Sequence, residues 1–270
     1  MGTCHNLATD IVVVGIGNEL LDGRVVNTNL AWLGDRLEQE GYSISRAIVL
    51  RDDVQETCRR LAQIISERPR MILVTGGLGP TWDDVTLQSI ACALRVPLRI
   101  NEVALAMIKS RITGTLTPQR KKMAYLPEGS KPLSNMRGTA PGVYYARGDT
   151  KIVALPGVPE EMKGLFDREV LKIIKRELRG ERRAVGRIVV KGIPEADLAP
   201  IVDRVRASVA GIYIKSHVKY SEKGHAPIEV FLSYRGRGSK ARIRQGTQML
   251  KSLAIKAGGQ VTRRTAGSVL

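Results

Sequence analysis

Between residues 76 and 86 the chain reads Gly76-Gly77-Leu78-Gly79-Pro80-Thr81-Trp82-Asp83-Asp84-Val85-Thr86, directly after the apolar run Met71-Ile72-Leu73-Val74-Thr75. Three glycines after a branched apolar run let backbone N–H groups approach a ligand with no Cβ in the way. Pro80 and Thr81 predict a helix start, Asp83 and Asp84 suit the positive end of its dipole, and Leu87, Ile90, Ala91 and Leu94 repeat at helical spacing. Strand, glycine turn and helix N-terminus together make a backbone site for phosphate, for which Gly76, Gly77, Gly79 and Thr81 are the candidates. Carboxylates repel phosphate unless a cation stands between them. A divalent ion such as Mg2+ takes one or two carboxylates plus phosphate oxygens, so the acid pair fits a metal-phosphate site; simple capping of the helix accounts for the same pair equally well.

Three further loops carry polar groups at strand ends. Gly15-Ile16-Gly17-Asn18-Glu19 lacks the third glycine of a dinucleotide fingerprint, because Leu20 stands in its place, and leaves Glu19 as a candidate metal or ribose ligand beside a plain surface-loop role. Ser134-Asn135-Met136-Arg137-Gly138-Thr139-Ala140-Pro141-Gly142 offers the Asn135 amide and the Arg137 guanidinium, a bidentate partner for phosphate oxygens. Leu155-Pro156-Gly157-Val158-Pro159-Glu160-Glu161-Met162 joins a strand to a helix through Pro156-Gly157, with Pro159 at the first helical position. Ordinary turn chemistry also produces such loops.

The elements that position them alternate in type. Strands are predicted over residues 11–16, 44–50, 71–75, 142–146 and 151–155. Helices between them present Leu30, Leu33 and Leu37, then Cys58, Leu61, Ile64 and Ile65, and later Met162, Phe166, Val170, Ile173 and Ile174. That order predicts an α/β fold with a mostly parallel sheet covered by helices, its ligands gathered at the carboxyl ends of the strands. A polar, basic stretch over 177–183 divides this first domain, residues 1–180, from a smaller α+β domain over 181–270. There the pattern is strand, helix, strand, strand and helix, with a closing strand near Val261.

The 270 residues carry a net charge of +17, of which +13 falls in residues 182–270, with 18 Lys and Arg against 5 Asp and Glu. Such a basic module points to nucleic acid, to an acidic partner or to a solvated surface. It has no Gly-x-x-Gly loop and few aromatic residues for stacking, so specific nucleic-acid binding is not expected. Cys4, Cys58 and Cys92 are odd in number and lack metal-ligand spacing, which predicts free thiols in a reducing compartment. The stretch from Met1 to Asp10 has no signal-peptide core and no segment is apolar enough to span a membrane, so a cytoplasmic protein is expected. His5, His217 and His225 are isolated, and Lys215-Ser216-His217 is expected to follow a strand; none is assigned chemistry.

Taken together, Gly17-Asn18-Glu19-Leu20-Leu21-Asp22-Gly23 with Asn27-Thr28-Asn29, residues 76–86, Asn135 with Gly138 to Gly142, and residues 155–162 resemble the N-terminal region of the CinA family, which is built on the molybdopterin-binding fold. Gly192-Ile193-Pro194-Glu195-Ala196-Asp197-Leu198 similarly resembles the start of the small, KH-like middle domain of those proteins. Molybdopterin adenylyltransferases of this fold have Arg-Asp where this chain has Asp83-Asp84, which marks the CinA branch. Asp52, after Val49-Leu50-Arg51, matches a further aspartate that the cofactor enzymes use catalytically; without the resemblance, Asp52-Asp53 reads only as a helix cap.

The resemblance implies a metal-dependent nucleotide diphosphate hydrolase like the ADP-ribose pyrophosphatases. Asp52 and Asp84 would be catalytic, Asp83, Asp84 and Glu19 would hold a divalent metal, and K+ is a further candidate ion. Gly76, Gly77, Gly79, Thr81, Asn135, Arg137, Pro156 and Gly157 would bind the nucleotide. The alternatives are adenylyl transfer to a pterin and a non-catalytic nucleotide- or RNA-binding protein. A homo-oligomer, dimer or trimer, is expected from relatives of the fold. The deamidase domain that many CinA proteins carry after these two is not expected, because no third pattern follows.

Overall fold

The structure is a computed structural model describing residues 10–178, 183–218 and 226–263. The chain divides into two compact units, one of 1–37 with 43–179 and one of 180–270 with 38–42.

In the first unit, β1 (Ile11–Ile16) leads through the one-turn α1 (Asn18–Leu21) to α2 (Thr28–Gln39). Then come β2 (Ile44–Leu50), α3 (Val54–Ser66), β3 (Met71–Thr75) and α4 (Thr86–Leu94). An arm follows, made of β4 (Leu98–Ile100), α5 (Glu102–Lys109), α6 (Pro118–Lys122), β5 (Tyr125–Pro127) and β6 (Lys131–Leu133). The hairpin β7 (Gly142–Arg147) and β8 (Thr150–Leu155) returns to the sheet. A long helical segment closes the unit as α7 (Pro159–Leu165), a π-helical turn over Phe166–Val170, and α8 (Leu171–Glu177).

The sheet order is β2-β1-β3-β8-β7-β6, with the first four strands parallel and the last two antiparallel. Every residue of β1 and β3 is buried, as expected of central parallel strands with helices on both faces. Ile72 and Val74 face a core shared with Leu61 and Ile64 of α3 and Ile90 and Leu94 of α4. Because β1, β2, β3 and β8 run in one direction, all their carboxyl ends open on one edge, and their loops meet there.

The predicted strands and the helices between them are present. The helix after the glycine loop begins at Thr86 and not at Pro80 or Thr81. Thr81 N–H donates to Asp84 Oδ2 at 2.8 Å and Asp84 N–H to the Thr81 carbonyl at 3.2 Å, so residues 81–84 close a separate turn. Asp53 is the cap predicted of the Asp52-Asp53 pair, since Oδ1 accepts from Glu56 N–H at 2.7 Å, and Asp52 is not a cap. The prediction of free thiols is also overturned. Cys58 of α3 and Cys92 of α4 form a disulfide across two packed helices, and the inference of a reducing compartment falls with it. Cys4 lies outside the described residues.

In the second unit β9 (Arg183–Lys191), α9 (Glu195–Ser208), β10 (Tyr213–Val218), β11 (Ile228–Arg235), α10 (Ser239–Lys256) and β12 (Gln260–Arg263) form an antiparallel sheet of order β10-β11-β9-β12 with two helices. Val190, Val230, Leu232, Leu198, Val205 and Leu250 make its separate core. His217 lies within β10 and not after it, opposite Glu229; His5 and His225 lie outside the described residues. Among the described residues, no helix is long and apolar enough to cross a membrane.

Candidate active site

The carboxyl edge of the sheet is knitted by backbone bonds between its loops. Gly17 N–H donates to the Leu50 carbonyl and Gly76 N–H to the Leu155 carbonyl, both at 3.1 Å, which joins the ends of β1 to β2 and of β3 to β8. The glycines of the central loop are required by the protein itself. Gly76 has φ +100 and a Cβ there would run into the Ile16 carbonyl oxygen, while Gly77 has φ +62 and a Cβ would strike Thr86 Oγ1. A Cβ on Gly79 would stand 2.6 Å from Asp84 Oδ2, and one on Gly157 would stand 3.3 Å from Gly76 Cα. Close backbone approach therefore first serves the meeting of two loops, which together floor a cleft.

That cleft encloses about 580 Å3 and is lined by Gly77, Gly79, Asp84, Pro156 and Gly157, all predicted site residues. Two cations missed in the sequence, Arg111 after α5 and Arg120 of α6, stand on its wall. Arg111 Nη1 donates to the Met136 carbonyl at 2.6 Å and Arg120 Nη1 to the Thr115 carbonyl at 2.9 Å, so both are oriented by neutral groups and keep their charge available. Among the described residues, neither has a carboxylate partner. A third cation, Lys122, donates to the Thr81 carbonyl.

The acids gather beside the cleft. Asp52 leaves the end of β2 and its Oδ2 accepts from Asn18 N–H at 2.8 Å. Burial pushes its carboxyl above the usual range; the Asn18 bond pulls it down, and the charges of Glu19, Asp83 and Asp84 push it up again. These four carboxylates, from three loops, share one field. Asp83 is held below the usual range, first by the Thr81 hydroxyl and then by its own backbone and by Lys122. The Thr81 hydroxyl lies 2.6 Å from Asp83 Oδ1 and 2.5 Å from Asp84 Oδ2. A hydroxyl has one proton, so it satisfies one of these oxygens at a time.

The remaining predicted residues stand outside the lining. Asn135 is buried, and its Nδ2 donates to the Ala140 carbonyl at 2.9 Å and Glu161 Oε2 at 2.7 Å, while its Oδ1 accepts from Arg137 and Gly138 N–H. It shapes the 135–140 loop and fixes Glu161, which does line the cleft. Arg137 pairs with Glu160 Oε2 at 2.6 Å. Asn29, also buried, donates from Nδ2 to the Gly157 carbonyl at 2.7 Å and pins that loop. Trp82, at the tip of the 81–84 turn, is 89% exposed.

The expected three-carboxylate set of Asp83, Asp84 and Glu19 is not brought together as a metal centre. Among the described residues, no three His, Cys, Asp or Glu side chains could hold a metal by themselves. Asp83 and Asp84, facing one shared hydroxyl proton, match the one- or two-carboxylate shell of Mg2+ completed by water and phosphate.

Residues 12–176 match the family of probable molybdopterin-binding domains, and the chain belongs to that family. Its CinA character shows in a crystal structure from Thermoplasma acidophilum, of the protein CinA with unknown function. That structure is 42% identical with a TM-score of 0.56, and the match covers 62% of this chain and 98% of that one. A protein of Pyrobaculum arsenaticum is 42% identical over 231 residues, 84% of this chain and 86% of that protein. A full-length relative from Thermoplasma acidophilum is 38% identical over 257 residues, 93% of this chain and 98% of that protein.

Proposed function

We propose that the cleft binds a nucleotide through its diphosphate and hydrolyses the phosphoanhydride, with an ADP-ribose-like molecule as substrate. The observation that carries this reading is that Arg111 and Arg120 line one cleft together with Asp84 and the glycines of two loops. Guanidinia attract a diphosphate, and carboxylates tolerate one only with a cation between. Asp83 and Asp84 would hold a divalent ion, which when bound polarises phosphoryl oxygens and lowers the pKa of water. Arg111 and Arg120 orient the phosphates and offset charge on the leaving oxygen. Asp52, its carboxyl raised, is suited to accept a proton from the attacking water, as a general base needs a pKa moved toward neutrality. Trp82 offers a face on which a base can stack.

The test is a panel of nucleotide diphosphates incubated with several divalent metals, with products identified by mass. AMP and ribose 5-phosphate from ADP-ribose support the reading. The rival reading, adenylyl transfer to a pterin, would instead yield an adenylylated pterin from ATP and molybdopterin. Only two tryptophans are present, and Trp32 packs edge-on against Phe166, so the stacking role assigned to Trp82, on the turn that brings Asp84 to the cleft, is read by fluorescence. Nucleotide binding should quench fluorescence in the wild type and leave Trp82→Phe unchanged; equal quenching in both would remove the stacking role.

A further inference from the structure

A second cavity, of about 950 Å3, opens at the amino ends of β3 and β8, the far end of the strands from the glycine loops. The five residues of β3 separate the two by roughly 17 Å. Four arginines reach its wall from four places: Arg68 just past α3, Arg70 ahead of β3, Arg95 just past α4, and Arg147 at the end of β7. Two carboxylates share the wall, and both are engaged. Glu67 pairs with Arg46, and Asp149 Oδ1 lies 3.4 Å from Arg70 Nη1.

Three guanidinia are left over. Arg147 Nη1 donates to the Leu94 carbonyl at 2.9 Å, which orients it without neutralising it. Among the described residues, no carboxylate pairs with Arg68, Arg95 or Arg147. Arg70 Nε is buried with no hydrogen-bond partner. Arg68 and Arg95 have φ 55 and 57, the left-handed conformation in which a helix end favours glycine. Glycine would follow α3 and α4 with less strain, yet both positions carry long cationic side chains on one cavity. Like charges so gathered repel unless an anion lies among them.

We propose that this cavity is a second anion site, which takes a compact oligophosphate between Arg68, Arg95 and Arg147. Guanidinium forks match phosphate oxygens bidentately, and the volume accepts more than a single phosphate. The phosphate chain has two sources, inorganic pyrophosphate or the diphosphate arm of a nucleotide. The site is independent of the function assigned to the cleft.

Calorimetric titration of the full chain at low ionic strength, with pyrophosphate and separately with ADP, tests it. The variant is Arg68→Gly/Arg95→Gly, in which glycine suits the left-handed backbone, so folding is retained and is checked by thermal unfolding. This variant should lose one bound ligand per chain, or bind it at least tenfold more weakly. Lys131→Ser/Lys172→Ser removes the same charge from exposed positions elsewhere and should keep wild-type binding. Arg111→Ala/Arg120→Ala, which strips the cleft of its cations, should keep this event as well. Loss of both ligands supports the site with a bare phosphate chain as its ligand, and loss of ADP alone supports it with a nucleotide. Wild-type binding of both ligands by the glycine variant overturns the proposal, as does an equal loss in the lysine variant.

Discussion

The two ends of β3 solve the same backbone problem with opposite residues. Both need left-handed φ, at Gly76 and Gly77 on the carboxyl side and at Arg68 and Arg95 on the amino side. On the carboxyl side two loops touch, and a Cβ at Gly76 or Gly77 would enter the Ile16 carbonyl or Thr86 Oγ1. On the amino side the exposed ends of α3 and α4 leave room for a side chain, so the left-handed turn tolerates arginine. Glycine therefore marks where backbones crowd, and arginine marks where a surface faces an anion. The disulfide sits on the helices that carry the arginines.

The largest effect expected on this contrast is chemical. Asp84→Asn should reduce turnover of the nucleotide diphosphate about a thousandfold, on the order of 4 kcal/mol in barrier, with weaker dependence on the divalent metal. Steady-state kinetics across a metal titration measures both, and unimpaired turnover would move the metal away from the 81–84 turn.

Breaking the disulfide comes next. The cysteines are 34 residues apart, so Cys58→Ser/Cys92→Ser should lower stability by roughly 3 to 4 kcal/mol through the freed unfolded chain. Denaturant unfolding of the double variant against the wild type checks this; no loss of stability would show that packing of α3 on α4 suffices.

Gly76→Ala should cost about 2 to 3 kcal/mol, because the new methyl meets a main-chain carbonyl that cannot swing aside. The same denaturation reads it. A neutral result would mean that the two loops can separate.

The smallest effect concerns Asp52. Its carboxyl is raised above the ordinary 3.8, so the native state binds the proton more tightly than the unfolded chain. Stability then falls as pH rises from about 3.8 through the raised native value, and the loss is complete above it. Asp52→Asn should accordingly be more stable than wild type at neutral pH. That advantage should vanish below the unfolded value, where both side chains are neutral. Thermal unfolding across acid and neutral pH measures it, and a constant difference would assign the gain to something other than charge.

Much of the fold was legible because burial on both faces writes itself as continuous apolar runs. Residues 11–16 and 71–75 became strands at the predicted bounds, as did residues 44–50 at the sheet edge, where the strand is largely exposed. The arm over 98–133 was not legible, since three-residue strands and a five-residue helix leave no periodicity to read. Arg111 and Arg120 sit in that arm, so nothing in their spacing announced the cleft. The start of α4 was missed because the Asp84 carboxylate folds back on Thr81 N–H, a bond that competes with helix.

The sequence by itself determined the parallel sheet, the loops at its carboxyl edge that bring Gly77, Gly79, Asp84, Pro156 and Gly157 to one cleft, and the family. Local pattern carries these, because apolar runs and turn residues act within a few positions. Only the tertiary structure decided that Cys58 meets Cys92, that Asn135 and Asn29 hold loops, that Arg111 and Arg120 line one cleft with Asp84, and that four arginines share a cavity. Such meetings depend on how helices pack across the sheet, a long-range outcome of burying the whole core that no short stretch of chain encodes.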